Sequence, residues 1–241
     1  MSASLKKTVT LFGILFVWAG LFGGVNPAGG DPVRRVISIG PNITETVFAI
    51  GRGDFLVGVT DFCVYPPQAL ALPKVGGVFN PNLERIAVLN PDLVILQGRH
   101  EKLDTFCRAR GIETLHMAMD SLSSIYQGIV AMGRALGASK QARTLNTAIH
   151  GKLEAVRRAV APFPRQKVFI SLGRAMGTMS QVYTVGGSSF LSEILSVAGG
   201  DNIFADVNRP YPEASKESLL KRSPDAIFLV LPEDPGIGYV F

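Results

Sequence analysis

Two glutamates occupy equivalent positions in a segment that the chain contains twice. Glu84 lies in LERIAVLNPDLVIL, from Leu83 to Leu96, and Glu217 lies in KESLLKRSPDAIFLV, from Lys216 to Val230. Each copy predicts a short helix, a Pro-Asp turn that ends it, and a buried strand. A carboxylate near a helix start can stabilise the helix dipole by about 0.3–1 kcal/mol, or it can bind a cationic partner. The residues alone leave both roles open.

The other residue types that carry chemistry form no catalytic pattern. The three histidines, His100, His116 and His150, are not clustered with carboxylates as a free Zn or Mn site requires. The glycine pairs Gly76-Gly77 and Gly186-Gly187 lack the Lys-Ser/Thr that completes a phosphate loop. No Ser-His-Asp set or carboxylate pair can be singled out. The sequence therefore favours a binding protein over an enzyme, with no catalytic residues and no protein metal ligands.

The two cysteines lie in different contexts. Cys63 precedes Tyr65-Pro66-Pro67 in a predicted loop, whereas Cys107 lies in the helical stretch EKLDTFCRARG. An oxidising compartment would permit a bridge between them, and their disulfide status stays open. Neither has a neighbouring histidine that would indicate a nucleophile or a metal site.

The first 30 residues have the layout of a secretory signal. Lys6 and Lys7 precede an apolar run from Val9 to Val25, and a Gly/Pro/Asn stretch follows. The alternative is a membrane anchor, but a run of about 17 residues interrupted by glycines is marginal for spanning. No cysteine lies near its end, so a lipid-anchored mature terminus is not expected. The pattern predicts export to the periplasm with residues 1–30 as the signal peptide.

Composition places the rest of the chain among globular α/β proteins. The 241 residues are 47% hydrophobic and 18% charged, with a net charge of +5. The positive residues are scattered along the sequence and form no basic tract. This distribution indicates a solvated surface and gives no reason to expect nucleic-acid binding.

Alternating strand and helix patterns predict two α/β lobes, at 33–137 and 166–241, joined by a helix at 139–161. In the first lobe Asn42, three positions before Glu45, is expected to cap a helix.

Six apolar residues recur at helical spacing in the connecting segment. They are Ala142, Leu145, Ile149, Leu153, Val156 and Val160. Twenty-two residues of helix measure about 33 Å, which is long enough to join two lobes as a stiff strut.

Several motifs in order resemble one family. They are SIGPNITETVFAIG, DFCVYPPQA, GGVFNPNLERIAVLNPDLVI, TVGGSSFLSEILSVAGGDNIF and RPYPEASKESLLKRSPDAIF. From about Val33 to Leu231 the chain resembles the substrate-binding proteins of ABC importers for cobalamin and ferric siderophores, the helical-backbone metal receptors, and most nearly the cobalamin-binding members. The resemblance implies two lobes with mainly parallel sheets, one rigid connecting helix and a monomer.

The resemblance also implies site residues. It assigns Glu84 and Glu217 to docking on the membrane permease, which works with an ATPase. It places Phe62, Tyr183 and Tyr211 in the ligand cleft, where rigid aromatic faces suit a flat macrocycle.

Three further residues are candidates for the same cleft. Tyr65 and Phe79 lie in the same loops as the aromatic positions, and Arg174, after a predicted strand, is a candidate for meeting an anionic group. No resident cofactor is implied, because the metal would arrive inside its chelator.

The ligand itself stays open at this point. Val78 and Phe79 stand where the cobalamin-binding relative has a nearby Trp, so a corrinoid, a ferric siderophore and haem, with Tyr65 as an axial ligand, are all candidates. A receptor for free Zn or Mn and an enzyme also stay open, although the sequence lacks the clustered ligands or the catalytic set that they would need. Family members continue beyond the position of Phe241 with further strand and helix units, so the second lobe is expected to be shortened or the sequence to be a fragment.

Overall fold

A computed structural model of the chain describes residues 33–174 and 182–230. The predicted signal peptide at residues 1–30 lies outside these ranges. The helices within them include none that is long and apolar enough to cross a membrane.

The first lobe contains a four-stranded parallel sheet. Its strands are β1 (Val36–Ile39), β2 (Leu56–Val59), β3 (Leu93–Gln97) and β4 (Glu113–Met117), in the spatial order β2-β1-β3-β4. β1 and β3 are each buried along four consecutive residues, as expected for strands that helices cover on both faces. All four strands end at the same edge of the sheet.

Four helices cover the two faces of this sheet. They are α1 (Pro41–Ala49), α2 (Leu83–Leu89), α3 (Glu101–Ala109) and α4 (Leu122–Ala135), with short 3-10 turns at Gly53–Phe55 and Pro67–Ala71. Side chains alternate along β1, so that Val36 joins the core beneath α1 and α4 while Ile37 joins the core beneath α2 and α3. Two separate apolar cores therefore flank the sheet.

The connecting helix, α5 (Ser139–Val160), is continuous over 22 residues. Its first half packs on the first lobe, where Ala142 is buried and Leu145 and Ile149 contact the core. At its other end Val160 lies against the position of Gly199 in the second lobe, while Val156 between them is exposed. The apolar stripe of α5 thus contacts both lobes and is open to solvent near Val156.

The second lobe contains a mixed sheet. Its strands are β5 (Gln166–Arg174), β6 (Val182–Thr184), β7 (Gly200–Asn202), β8 (Glu213–Ala214) and β9 (Ala226–Leu229). β5 pairs in parallel with β7 and β9 and antiparallel with β6, which in turn pairs antiparallel with β8. β6 and β8 were not expected from the sequence.

Two helices belong to the second lobe, α6 (Phe190–Val197) and α7 (Lys216–Arg222). Ser189 is the N-cap of α6, and its hydroxyl accepts a hydrogen bond from the Leu191 amide. The cap expected at Asn42 in the first lobe is wrong. Gly40 precedes α1 and Pro41 occupies its first position, which suits a residue without an amide hydrogen.

The duplicated segment forms the same unit in both lobes, α2 with β3 and α7 with β9. Each helix ends in a residue with left-handed backbone, Asn90 at φ 41° and Ser223 at φ 44°. The strands differ in their surroundings, because β3 is buried whereas Ile227, Phe228 and Leu229 of β9 are exposed. Within the described part of the chain β9 pairs with β5 alone.

A side chain also links the lobes directly. The carboxylate of Glu193 in α6 accepts a hydrogen bond of 3.0 Å from the backbone amide of Leu122, the first residue of α4. The negative charge lies at the positive end of the α4 dipole, which is a favourable arrangement. Residues 33–174 and 182–230 belong to one compact unit.

Candidate functional site

The loop after β2 carries two exposed aromatic side chains. Phe62 is 69% exposed and Tyr65 is 63% exposed, although Cys63, one of the two residues between them, is completely buried. The loop begins at the edge where the parallel strands end, the usual position of ligand sites in such sheets. The structure therefore presents these two predicted residues together on one loop.

Phe79 lines a cavity at the same edge. The cavity measures about 670 Å³ and is bounded by the loop before α2 and by residues 97–103, which run from the end of β3 into α3. The wall of this cavity contains two basic residues and a histidine, namely Arg99, Lys102 and His100, and one acidic residue, Glu101. An aromatic face beside positive charge suits an apolar ligand with an anionic edge.

The loop after β3 is held by contacts from neighbouring elements. Gln97 accepts a hydrogen bond from the Asn42 side chain of α1 at 3.3 Å. The His116 ring of β4 lies between the Gly98 carbonyl, at 2.8 Å, and Asp104 of α3, at 3.0 Å. The wall of the Phe79 cavity is therefore connected to α1, α3 and β4.

A larger cavity, of about 760 Å³, is lined mainly by residues of α3 and β4. Its wall is charged and includes Arg99, Asp104, Arg108 and His116, but no aromatic side chain. Because a flat apolar ligand needs aromatic or aliphatic surface, the smaller cavity beside Phe79 is the better candidate.

In the second lobe Tyr183 and Tyr211 share one exposed face. Tyr183 of β6 is directly opposite Glu213 of β8, and Tyr211 lies two residues before Glu213. The intervening Pro212 and the neighbouring Thr184 are buried, so alternation places the two tyrosines and Glu213 on the same side. Each tyrosine is a little under half exposed. The structure thus brings together two side chains that are 28 positions apart in the sequence.

The glycine pair Gly186-Gly187 supports the segment that carries Tyr211. A Cβ atom on Gly186 would overlap the Arg209 carbonyl oxygen, and one on Gly187 would overlap the Ala205 carbonyl oxygen. The amides of both glycines donate hydrogen bonds to this segment, at 3.0 Å to Pro210 and 2.9 Å to Val207. Glycine is therefore required here for close packing of two backbones, and the pair is not a phosphate loop.

Arg174 is the last residue of β5, and its side chain lies outside the part of the structure that is described. Its predicted contact with an anionic ligand group stays a prediction.

The two candidate docking glutamates occupy the same helical position. Glu84 follows the N-cap Asn82 by two residues in α2, and Glu217 follows the N-cap Ser215 by two residues in α7. Both side chains are exposed. The caps also match, because Asn82 accepts a hydrogen bond from the Arg85 amide at 2.9 Å and Ser215 accepts one from the Ser218 amide at 3.1 Å.

Local hydrogen bonds favour the ionised form of Glu217. Its own backbone amide and then the Ser215 hydroxyl lower the pKa of this carboxyl below its usual value. The side chain thus keeps its negative charge in mildly acidic solution, as a contact with a cationic partner requires.

Arg222 fixes the other end of α7. Its guanidinium donates to the Ile203 carbonyl and to both oxygens of Asp206, at 2.6 and 2.9 Å, and lies 4.5 Å from the centre of the Phe204 ring. These contacts hold the pKa of Asp206 below its usual value. They also fix the helix that presents Glu217.

The sequence predicts no metal ligands from the protein, and it leaves the disulfide status of the two cysteines open. Among the described residues, no group of three or more His, Cys, Asp or Glu side chains is placed to hold a metal ion. Cys63 and Cys107 are both free and buried, in the cores on opposite faces of the first sheet.

Sequence reasoning missed Gln97, Arg99 and Glu213 as site residues. Gln97 and Arg99 could have been suspected because they lie at and just beyond the end of a buried strand, which is where parallel sheets place polar ligand contacts. No sequence pattern indicated Glu213 as a site residue, because its position opposite Tyr183 depends on the pairing of two very short strands.

Comparison with known proteins agrees with this architecture. Residues 36–234 match the model of the periplasmic binding protein family. A vitamin B12-binding protein of Vibrio parahaemolyticus is 30% identical over 204 residues, which cover 82% of this chain and 71% of the relative.

Solved structures of periplasmic binding proteins are similar to this chain as well. The periplasmic vitamin B12-binding protein BtuF of Vibrio cholerae superposes with a TM-score of 0.68 at 31% identity, covering 82% of this chain and 76% of that one. The periplasmic haem-binding protein RhuT of Roseiflexus sp. RS-1 gives 0.71 at 27% identity, with coverages of 82% and 76%.

These matches confirm the predicted fold and the expectation of a binding protein rather than an enzyme. The matched region includes both sheets and the connecting helix α5. The chain belongs to the periplasmic binding protein family and has the two-lobed fold of the substrate-binding components of ABC importers.

Proposed function

We propose that this chain captures a corrinoid, a cobalamin-like macrocycle, in the periplasm and delivers it to an ABC permease. The observation that carries the proposal is the shared exposed face of Tyr183 and Tyr211. A tyrosine ring on β6 and a second one two residues before β8 offer a rigid apolar surface, and their hydroxyl groups can contact the polar edge of a macrocycle. Phe62, Tyr65 and the Phe79 cavity offer similar surface on the first lobe.

The names of the relatives support a corrinoid over other chelates. The curated relative from Vibrio parahaemolyticus and the solved structure from Vibrio cholerae are both vitamin B12-binding proteins, at 30% and 31% identity. A receptor for free Zn or Mn has less support, because the described residues contain no ligand cluster. The protein is proposed to act as a monomer without a resident cofactor.

Ligand titration tests this proposal. Isothermal calorimetry with cyanocobalamin, haemin and a ferric siderophore should give saturable heat with cyanocobalamin. Tyr183→Ala should weaken binding about tenfold or more, since losing one well-packed aromatic contact costs about 1–3 kcal/mol. Phe163→Ala removes another exposed aromatic side chain, which lies just beyond α5, and it should leave the affinity unchanged. If no chelate binds the wild-type protein, the proposal fails.

Haem is the second candidate ligand, and a specific observation favours it. The Tyr65 side chain is exposed beside Phe62, where its oxygen can reach a metal, and the RhuT structure is similar at 27% identity. Haem bound through tyrosinate would give a shifted Soret band that Tyr65→Phe abolishes. A Soret shift together with no heat from cyanocobalamin would select haem.

Permease docking is proposed for Glu84 and Glu217. Their matched positions on the two lobes would make binding to a permease depend on the separation of the lobes, through two charge-assisted contacts.

ATPase stimulation tests the docking role. Glu84→Ala and Glu217→Ala should each raise the concentration of binding protein needed for half-maximal ATPase stimulation about tenfold in a reconstituted transporter, and should leave ligand affinity intact. Glu113→Ala, at the opposite edge of the first sheet, is the matched control. Loss of ligand binding in a docking variant would place that residue in the cleft instead.

Export is proposed to use residues 1–30 as a cleaved signal peptide. N-terminal sequencing of protein from a periplasmic extract should find the mature terminus near Asp31. A full-length N-terminus in the membrane fraction would indicate an anchor.

A further inference from the structure

Four polar side chains without accessible surface lie beneath the loop that carries Phe62 and Tyr65. They are Ser38, Thr44, Thr60 and Cys63. A hydroxyl group buried without a partner is unfavourable, so such a cluster persists only when its members satisfy one another.

The contacts form one connected chain. The Ser38 hydroxyl lies 3.0 Å from the Gly40 carbonyl oxygen and 2.7 Å from the Thr44 hydroxyl. The Thr44 hydroxyl donates to the Cys63 sulfur at 3.1 Å, and the Thr60 hydroxyl lies 3.1 Å from the same sulfur. The sulfur is therefore shared between the first turn of α1 and the start of the loop after β2.

The backbone of Cys63 is held as well. Its amide donates to the Thr60 carbonyl at 3.1 Å, and its carbonyl accepts from the Lys74 ammonium at 2.9 Å. Lys74 also donates to the Ala69 carbonyl at 3.2 Å, further along the same loop. Cys63 is thus fixed through three groups, whereas its neighbours Phe62 and Val64 project into solvent.

We propose that Cys63 is a positioning residue for ligand binding, which sets the direction of Phe62 and Tyr65 through its contacts with Thr44 and Thr60. This inference rests on the proposed function for its consequence, because it assumes that these aromatics contact the ligand. The side chain must point inward for the sulfur to reach both hydroxyls, and this orientation turns the adjacent Phe62 outward. Because the loop is already ordered in the free protein, ligand binding costs less conformational entropy. The substitution Cys63→Ser keeps a hydrogen-bonding group on a shorter side chain, whereas Cys63→Ala removes that group.

Loop order can be measured without any ligand. In the full chain with Trp18→Phe, the substitution Phe62→Trp supplies the single tryptophan as a reporter. Time-resolved fluorescence anisotropy should show a larger fast-rotation amplitude when Cys63→Ala is added, with partial recovery in Cys63→Ser. Cys107→Ala is the matched control, since it also removes a completely buried thiol, from the core on the other face of the sheet, and it should not change the anisotropy.

Binding is measured separately with native Phe62. Cys63→Ala should weaken cyanocobalamin affinity about tenfold, Cys63→Ser less, and Cys107→Ala hardly at all. Should Cys63→Ala not fold, Thr60→Val removes one of the two hydroxyl contacts and is expected to shift both readouts in the same direction. Equal anisotropy in the Cys63 and Cys107 variants would overturn the proposal, as would higher loop mobility with unchanged affinity. If the wild-type protein binds no chelate, the proposed function fails, and the anisotropy still decides whether Cys63 orders the loop.

Discussion

Asp92 and Asp225 make the same contact in the two lobes, each accepting a hydrogen bond from a backbone amide 58 residues earlier in the chain. Asp92 binds the Arg34 amide at 2.9 Å, and Asp225 binds the Lys167 amide at 2.8 Å. Each aspartate also donates its own amide at 2.8 Å, Asp92 to the carbonyl of Arg35, just before β1, and Asp225 to the carbonyl of Lys167 in β5. The Pro-Asp turn of the duplicated segment therefore fixes β3 beside β1 and β9 beside β5.

This equivalence predicts matched losses of stability. Asp92→Ala and Asp225→Ala should each lower the free energy of unfolding by about 1–2 kcal/mol, because each removes charge-assisted hydrogen bonding to a backbone amide at an exposed position. Urea denaturation followed by circular dichroism measures the effect. The asparagine variants keep an acceptor and should lose less. If both alanine variants unfold at the wild-type midpoint, the aspartates do not support the strands.

Glu193 is predicted to limit the relative movement of the lobes. Its carboxylate binds the Leu122 amide across the lobe boundary, so Glu193→Ala should broaden the distribution of lobe separations. Double electron–electron resonance between spin labels at Thr105 and Lys221, on α3 and α7, measures this distribution. Glu193→Gln keeps an acceptor and should broaden it less, and Glu45→Ala on the surface of α1 is the control. A distribution of unchanged width would refute the link.

Two glycine substitutions should have opposite signs. Gly186→Ala places a methyl group against the Arg209 carbonyl and should destabilise the fold by about 1–3 kcal/mol while displacing the segment of Tyr211. Gly151→Ala in the interior of α5 meets no atom within 4 Å and should stabilise by about 0.5–1 kcal/mol. Thermal unfolding of both variants checks the signs. A stable Gly186→Ala protein would mean that the two backbones can separate without cost.

Cys107 should make stability fall in alkaline solution. Burial, and then the nearby Asp104 carboxylate, raise the pKa of this thiol from its ordinary value of 9.0 to about 11. Between these values the unfolded chain loses the proton and the native state keeps it, so the free energy of unfolding decreases as pH rises. Urea titrations from pH 8 to 11 should show a shallower decline for Cys107→Ala. Parallel declines in the two proteins would contradict the assignment.

Much of the architecture follows from local patterns. The duplicated helix, Pro-Asp turn and strand could be predicted because proline does not fit the interior of a helix and a continuous apolar run suits a buried strand. The 22-residue helix α5 could be predicted from its 3.6-residue periodicity. The matched positions of Glu84 and Glu217 follow from the same repeat.

Other features depend on partners that are distant in the chain. Strands β6 and β8 have three and two residues, which are too few for a periodic signal in the sequence. They form because the two segments pair antiparallel, with Tyr183 opposite Glu213. Asn42 has the sequence signature of a cap, but Pro41 before it, with its fixed φ, takes the first helical position.

By itself, the sequence determined the class of this protein: a two-lobed α/β chain with a rigid connection and a glutamate at the same place on each lobe. Only the tertiary structure decided which side chains act together. Tyr183 joins Tyr211 through strand register, and Cys63 turns inward to meet Thr44, so that Phe62 faces solvent. Periodicity and turn chemistry act over a few residues and can be read locally, whereas register and burial are set by contacts between segments that are far apart in the chain.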